Sequence, residues 1–340
     1  MKITLRYDTV QPMMHHLRLL KQGKPDEKAL DVLLDHPDYH VEFTRYGANV
    51  TKDVYREYMV RFPELSEDEI DNMHLKAHHR CYLDAFENVD HYEASLSMLN
   101  IDQQTLDEQA AIAKAGLPDD LALAEVHVVF TLGIGASFGY VHQHHVHVDF
   151  LQLVKEKTPE ELSASLAHEV HHVGFNKLLS KMDMQTLPLE SLFYLYFSGE
   201  GLAVKYCNNA EGVLSKPIYD GPVNVGLDAW TWDYLRDDFD EAMRRVKTTV
   251  KAIRDGCYTK EDLHHDLQTY WMNPRTDNQA NSDIPALKQL RLYSVGNDIW
   301  GIIHDVFGKE KVYDTLQNLA HFAATFNAAL EHIGKTKYCV

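Results

Sequence analysis

Residues Ser165 to Phe175 read SLAHEVHHVGF. His168, Glu169, His171 and His172 fall within five residues of a chain that carries 21 histidines, so the spacing is weighed against chance. Histidine pairs four apart also occur at His36/His40 and His74/His78, but Pro37 follows the first and Leu75 the second. Only His168 is followed by a glutamate, with His172 four residues on: H-E-x-x-H. That pattern has chemical meaning on a helix, where residues four apart lie one above the other on one face. Two imidazoles so stacked can meet one zinc ion at about 2.0–2.1 Å each. Glu169 is rotated about a quarter turn away and reaches a water rather than the ion. The residues upstream predict the helix. Thr158 is placed as N-cap, Pro159 at the first helical position, and Glu161 completes a capping box. Leu162, Leu166, Val170 and Val173 then recur at helical spacing, and Gly174 leaves the end open between there and Ser180.

A catalytic zinc usually takes three protein ligands. The next candidate is Glu200, in the stretch FYLYFSGEGLAVKYC from Phe193 to Cys207, which reads as a helix starting near Pro188. On that helix its neighbours are Phe193, Tyr196, Ala203, Val204 and Cys207. A carboxylate on such an apolar face needs a partner: a metal ion, or a buried arginine or histidine. Gly199 and Gly201 beside it predict the close approach of another helix.

HEVHH followed by SGEGLA resembles the gluzincin zinc metallopeptidases. It is most similar to bacterial predicted zinc-dependent peptidases with a G-E-G-x-A third-ligand motif. The resemblance implies that His168, His172 and Glu200 are ligands of one zinc ion per chain and that Glu169 is the catalytic base. It covers Ala124 to Cys207 most firmly, with a weaker echo in Tyr293-Ser-Val-Gly296 and the helix beyond. Val204 stands where thermolysin-like members carry an aspartate, and no G-x-M-E-N aminopeptidase motif is present. The echo favours Tyr293 as the group that steadies the oxyanion. His304 and His321 are the other candidates, and a core tyrosine at a helix start is the plain alternative.

Composition bounds the function. The chain has 340 residues, 45% hydrophobic and 25% charged, enough for one large domain or two lobes. Its 51 acidic residues against 33 basic ones give a net charge of −18, which argues against nucleic acid or an anionic membrane as a partner. Cys81, Cys207, Cys257 and Cys339 are scattered, with no C-x-x-C. The N-terminus lacks a signal-peptide run, and no stretch is long and apolar enough to span a bilayer. A cytoplasmic protein is expected.

Helical signals dominate: Met13–Lys21, Glu27–Leu34, Lys52–Arg61, a helix or helix pair opened by a Ser66–Glu69 capping box and running toward Leu99, and a third box at Thr105–Glu108. Val126–Leu132 and Val146–Leu151 read as strands around a glycine-rich connection. The second alternates as a half-buried edge strand would, and is expected to pair with an extended peptide. Helices are then expected over Asp228–Arg254, Lys260–Met272, Ile284–Phe307 and Lys309–His332, with a loop at Trp271–Asp283. The fold expected is α+β and mostly α-helical: a single catalytic domain, residues 1–340, with sub-lobes at 1–180 and 181–340. The resemblance makes it zincin-like and two-lobed, with the small sheet above the H-E-x-x-H helix.

The run His142-Gln-His-His-Val-His147-Val-Asp149 places His145, His147 and Asp149 on one strand face, as a second metal site or as polar residues turned outward. Leu132–Gly139 misses the spacing of a phosphate-binding loop. His171 falls between the ligands and is assigned to their surroundings or to the surface. The resulting expectation is a zinc-dependent hydrolase of peptide or protein substrates, in which Glu169 takes a proton from the attacking water. A hydrolase of other amides, a non-catalytic metal-binding or regulatory protein on the same scaffold, and a histidine-rich metal store are the rivals. Oligomeric state is not readable.

Overall fold

A computed structural model describes residues 2–98, 101–123, 125–135, 137–156, 159–222, 226–274 and 286–340. The fold is α+β and mostly α-helical, with one four-stranded sheet among the described residues. Two compact units divide the chain: Met1–Ala110 with Ala122–Val173, and Ala111–Leu121 with Gly174–Val340. No described helix is long and apolar enough to cross a membrane.

The first unit opens with a strand the sequence reading missed, β1 (Lys2–Arg6). Helices α1 (Val10–Lys21), α2 (Glu27–Leu34), α3 (Pro37–Tyr46) and α4 (Lys52–Arg61) follow. Of these only α3 was unexpected; Pro37 at its first turn, preceded by His36 as N-cap, starts it. The Ser66 capping box is real but opens only a single 3₁₀ turn, Glu67–Glu69. Asn72 caps the long helix instead, α5 (Met73–Glu87), which α6 (Val89–Met98) follows. In α7 (Gln103–Ala115) the cap is likewise displaced: Asp102 Oδ1 accepts from Thr105 N at 2.8 Å, so Thr105 is inside the helix.

The remaining strands are β2 (Glu125–Thr131), β3 (Gly139–His142) and β4 (His145–Asp149), in the order β1-β2-β4-β3. β1 and β4 run parallel to β2, and β3 antiparallel to β4. This corrects the reading of Val146–Leu151. β4 is an interior strand paired on both sides, all five of its residues are buried, and α8 (Phe150–Glu156) takes over at Phe150. The edge is β3. The polar face of β4 is covered rather than solvated, because α5 and α3 carry partners for it. His78 Nε2 lies 2.9 Å from Asp149 Oδ2, and His147 Nδ1 lies 3.8 Å from Glu42 Oε1. Burial pushes His78 down, but the Asp149 carboxylate beside it outweighs this and lifts it to about 10. Burial pushes Asp149 up, and His78 with the Gly133 amide and the Gln152 side chain more than reverses it.

Helix α9 (Pro159–Leu179) carries the H-E-x-x-H motif, and its stripe of Leu162, Leu166, Val170 and Val173 is buried as expected. Thr158, its expected cap, lies outside the described residues.

In the second unit, α10 (Leu189–Tyr196) starts after Pro188, as expected, but stops at Phe197. A six-residue helix, α11 (Ser198–Ala203), holds Glu200, and a π-helical turn, Val204–Asn208, closes it. α12 (Ala229–Asp237) and α13 (Phe239–Arg254) break at Asp238, where the single expected helix was continuous. α14 (Lys260–Asp266) is followed by a π turn to Trp271. The expected loop beyond lies mostly outside the described residues, and α15 (Arg291–Phe307) starts seven residues later than Ile284. α16 (Lys309–Gln317) and α17 (Phe322–His332) are separated at Asn318 rather than continuous. The core is built on α15, which is buried along most of its length. Trp300 packs on Phe322 at 4.6 Å and donates to Tyr194 O at 3.2 Å. Asp298 accepts from the amides of Val213, Leu214 and Ser215, fixing the loop after Glu200's helix.

Candidate metal centre

Helical periodicity in α9 aligns His168 and His172, with ring centroids 4.7 Å apart and planes at 78°. His168 is buried; Glu169 and His172 are half-buried. Glu169 lies beside β3: a Cβ built on Gly139 would stand 3.6 Å from Glu169 Oε1. His171 is fully buried, which removes the surface alternative.

Two glycines of different kinds flank Glu200. A Cβ on Gly201 would stand 2.2 Å from the carbonyl carbon of Gly296, so α11 and α15 meet backbone to backbone. A Cβ on Gly199 would only touch Phe175 at 3.6 Å, an ordinary contact. The helix approach inferred from the two glycines therefore belongs to Gly201. Among the described residues, the ligand atoms of His168, His172 and Glu200 lie within 4.8 Å of one another. Two nitrogens and a carboxylate oxygen form a catalytic-zinc donor set, and ligands on one tetrahedral ion stand about 3.3 Å apart. The three side chains could hold a single ion.

The other candidates separate. Tyr293 lies on α15, half-buried, packed against Val204, Ala210, Trp232, Leu235 and Leu287. His304 Nδ1 is 3.0 Å from the Tyr206 hydroxyl, and His321 is exposed beside Asn318. The trio His145, His147 and Asp149 does not form a site: Asp149 is taken by His78 and His147 faces Glu42, while His145 groups with His127 and His144. Glu42 and His127 escaped the sequence reading, because only strand register and the packing of α3 bring them to these positions.

The edge strand β3 is braced from behind. Tyr140 stacks on His147 at 5.0 Å and 8°, and the Arg45 guanidinium lies 3.8 Å from the Tyr140 ring centre. Burial, and then Glu42, push the Tyr140 hydroxyl far up, so it stays neutral.

The fold is α+β and mostly helical with a small mixed sheet, and this group of side chains offers two nitrogens and a carboxylate oxygen. The chain belongs to the family described as "Putative zinc dependent peptidase (DUF5700)", which matches residues 30–335. No curated protein and no solved structure matches it.

Proposed function

We propose that the protein is a zinc-dependent peptidase in which His168, His172 and Glu200 hold one catalytic zinc ion and Glu169 is the general base. The supporting observation is that ligand atoms from two helices, 28 residues apart in sequence at their nearest, converge within 4.8 Å. When bound, zinc supplies Lewis acidity, polarising a carbonyl and making water a nucleophile near neutral pH.

The chain's own residues do the rest. An extended peptide lies along β3, an edge strand of the sheet among the described residues. Glu169, beside Gly139 on that strand, takes a proton from the attacking water and returns it to the leaving nitrogen. Tyr293 sits three residues before Gly296, on the helix that Gly201 touches. We assign its hydroxyl to the carbonyl oxygen as negative charge develops there.

Elemental analysis paired with a peptide-library digest tests the reading. His168→Ala, His172→Ala and Glu200→Ala should each lose one zinc per chain and all cleavage. Full zinc in Glu200→Ala would remove that residue from the site.

A further inference from the structure

The sheet carries a second group of imidazoles. Register aligns Thr4, His127, His145 and His142 in one row across the four strands, so their side chains share a face. The two-residue turn between β3 and β4 adds His144, whose carbonyl accepts from His127 N at 3.0 Å and so is tied to β2. The ring centroids of His144 and His145 are 4.3 Å apart, and those of His127 are 5.3 and 5.2 Å from them.

We propose that His127, His144 and His145 form a second metal site, for a divalent transition ion of the zinc class, which ties the β3–β4 turn to β2. One ligand atom from each lies within 4.8 Å of the others. Three imidazoles are a donor set that suits zinc, nickel or copper and leaves a coordination position open. A second observation points the same way. His145 is only 8% exposed, yet its Nδ1 has no hydrogen-bond partner among the described residues. A buried ring nitrogen left so is costly unless something else engages it. Thr4 Oγ1 is 2.6 Å from His127 Nδ1, the kind of outer contact that orients a ligand ring. His144 is exposed and gives the ion its way in. Arg6 is the nearby cation, and its charge is balanced by Asp38 at 3.0 Å. The site lies on the sheet that carries β3, so an ion there braces the edge strand without entering the reaction.

The test is independent of the proposed catalytic centre. In the full-length His168→Ala/His172→Ala double variant, Zn²⁺ and Ni²⁺ are titrated calorimetrically. The expected result is one ion per chain with a micromolar or tighter dissociation constant. Adding His144→Ala, an exposed position that spares the fold, should abolish that binding. Adding Thr4→Val should weaken it by about 10–100-fold. An absence of such binding in the double variant, or binding unmoved by His144→Ala, would overturn the proposal. Two ions per chain in the double variant, one of them removed by His144→Ala, would count against the catalytic assignment and leave this one standing.

Discussion

Gly201 and Gly296 meet backbone to backbone: a Cβ on Gly201 would stand 2.2 Å from the Gly296 carbonyl carbon and 2.5 Å from its Cα. Neither atom is the end of a flexible side chain, so one helix has to move. Gly201→Ala should therefore destabilise the protein by about 1–3 kcal/mol or more and displace the neighbouring Glu200, with loss of zinc. Gly199→Ala meets only Phe175, at 3.6 Å, and should be tolerated or slightly stabilising, since alanine favours the helix by up to about 1 kcal/mol. Thermal melts with zinc analysis compare the two. Equal behaviour would dissociate the glycine pair from the placement of Glu200.

The His78–Asp149 pair gives stability a defined pH dependence. His78 is raised above its ordinary 6.5, so its contribution is complete below that value and is lost as pH rises through about 10. Asp149 is held below its ordinary 3.8, so its contribution is complete above that value and falls away only in stronger acid. His78→Ala should cost about 3–5 kcal/mol near pH 6, because it leaves a carboxylate buried without its cation. Urea denaturation at several pH values should show this cost shrinking between pH 7 and 10. A cost that is flat across that range would mean the pair is not ionised.

The outer edge of β3 can be probed at a single residue. Asp149 N donates to Phe138 O at 2.8 Å. Counting by twos, Tyr140 and His142 face β4, while the amide and carbonyl of Val141 face outward. Val141→Pro removes that outward donor and spares the β3–β4 ladder. KM for peptides should rise by about 2–10-fold, the worth of one hydrogen bond, with zinc retained. Unchanged steady-state kinetics in a stably folded variant would take the substrate off this strand.

Tyr293→Phe keeps the ring that packs on Val204 and Trp232 and removes only the hydroxyl. If that hydroxyl serves the oxyanion, kcat should fall by about 10²–10³ with zinc content and melting temperature little changed. A variant of undiminished kcat would return Tyr293 to the core.

The sequence was most legible where one period ran long. α9 announces itself through four apolar residues at helical spacing, and its motif needs no tertiary contact to be recognised. β1 and β3, five and four residues long, are too short for a period to show. β4 alternates like a half-exposed strand, but Glu42 and His78 cover its polar face from helices distant in sequence. The Glu200 segment reads as one helix, yet it breaks at Phe197. There α15 passes so close that a Cβ on Gly296 would stand 2.3 Å from the Phe197 carbonyl oxygen. Each miss rests on a partner that local pattern does not contain. The grouping of His127 with His144 and His145 is of the same kind, since strand register alone creates it.

The most direct test of the account is kcat for Glu169→Gln, measured with zinc content on the same sample. The substitution keeps the size of the side chain and its place beside Gly139 and removes the basic carboxylate. The account predicts a folded protein with its full zinc, a kcat lowered by at least about 10²–10⁴-fold, and a KM little changed. Full zinc with undiminished hydrolysis would contradict it.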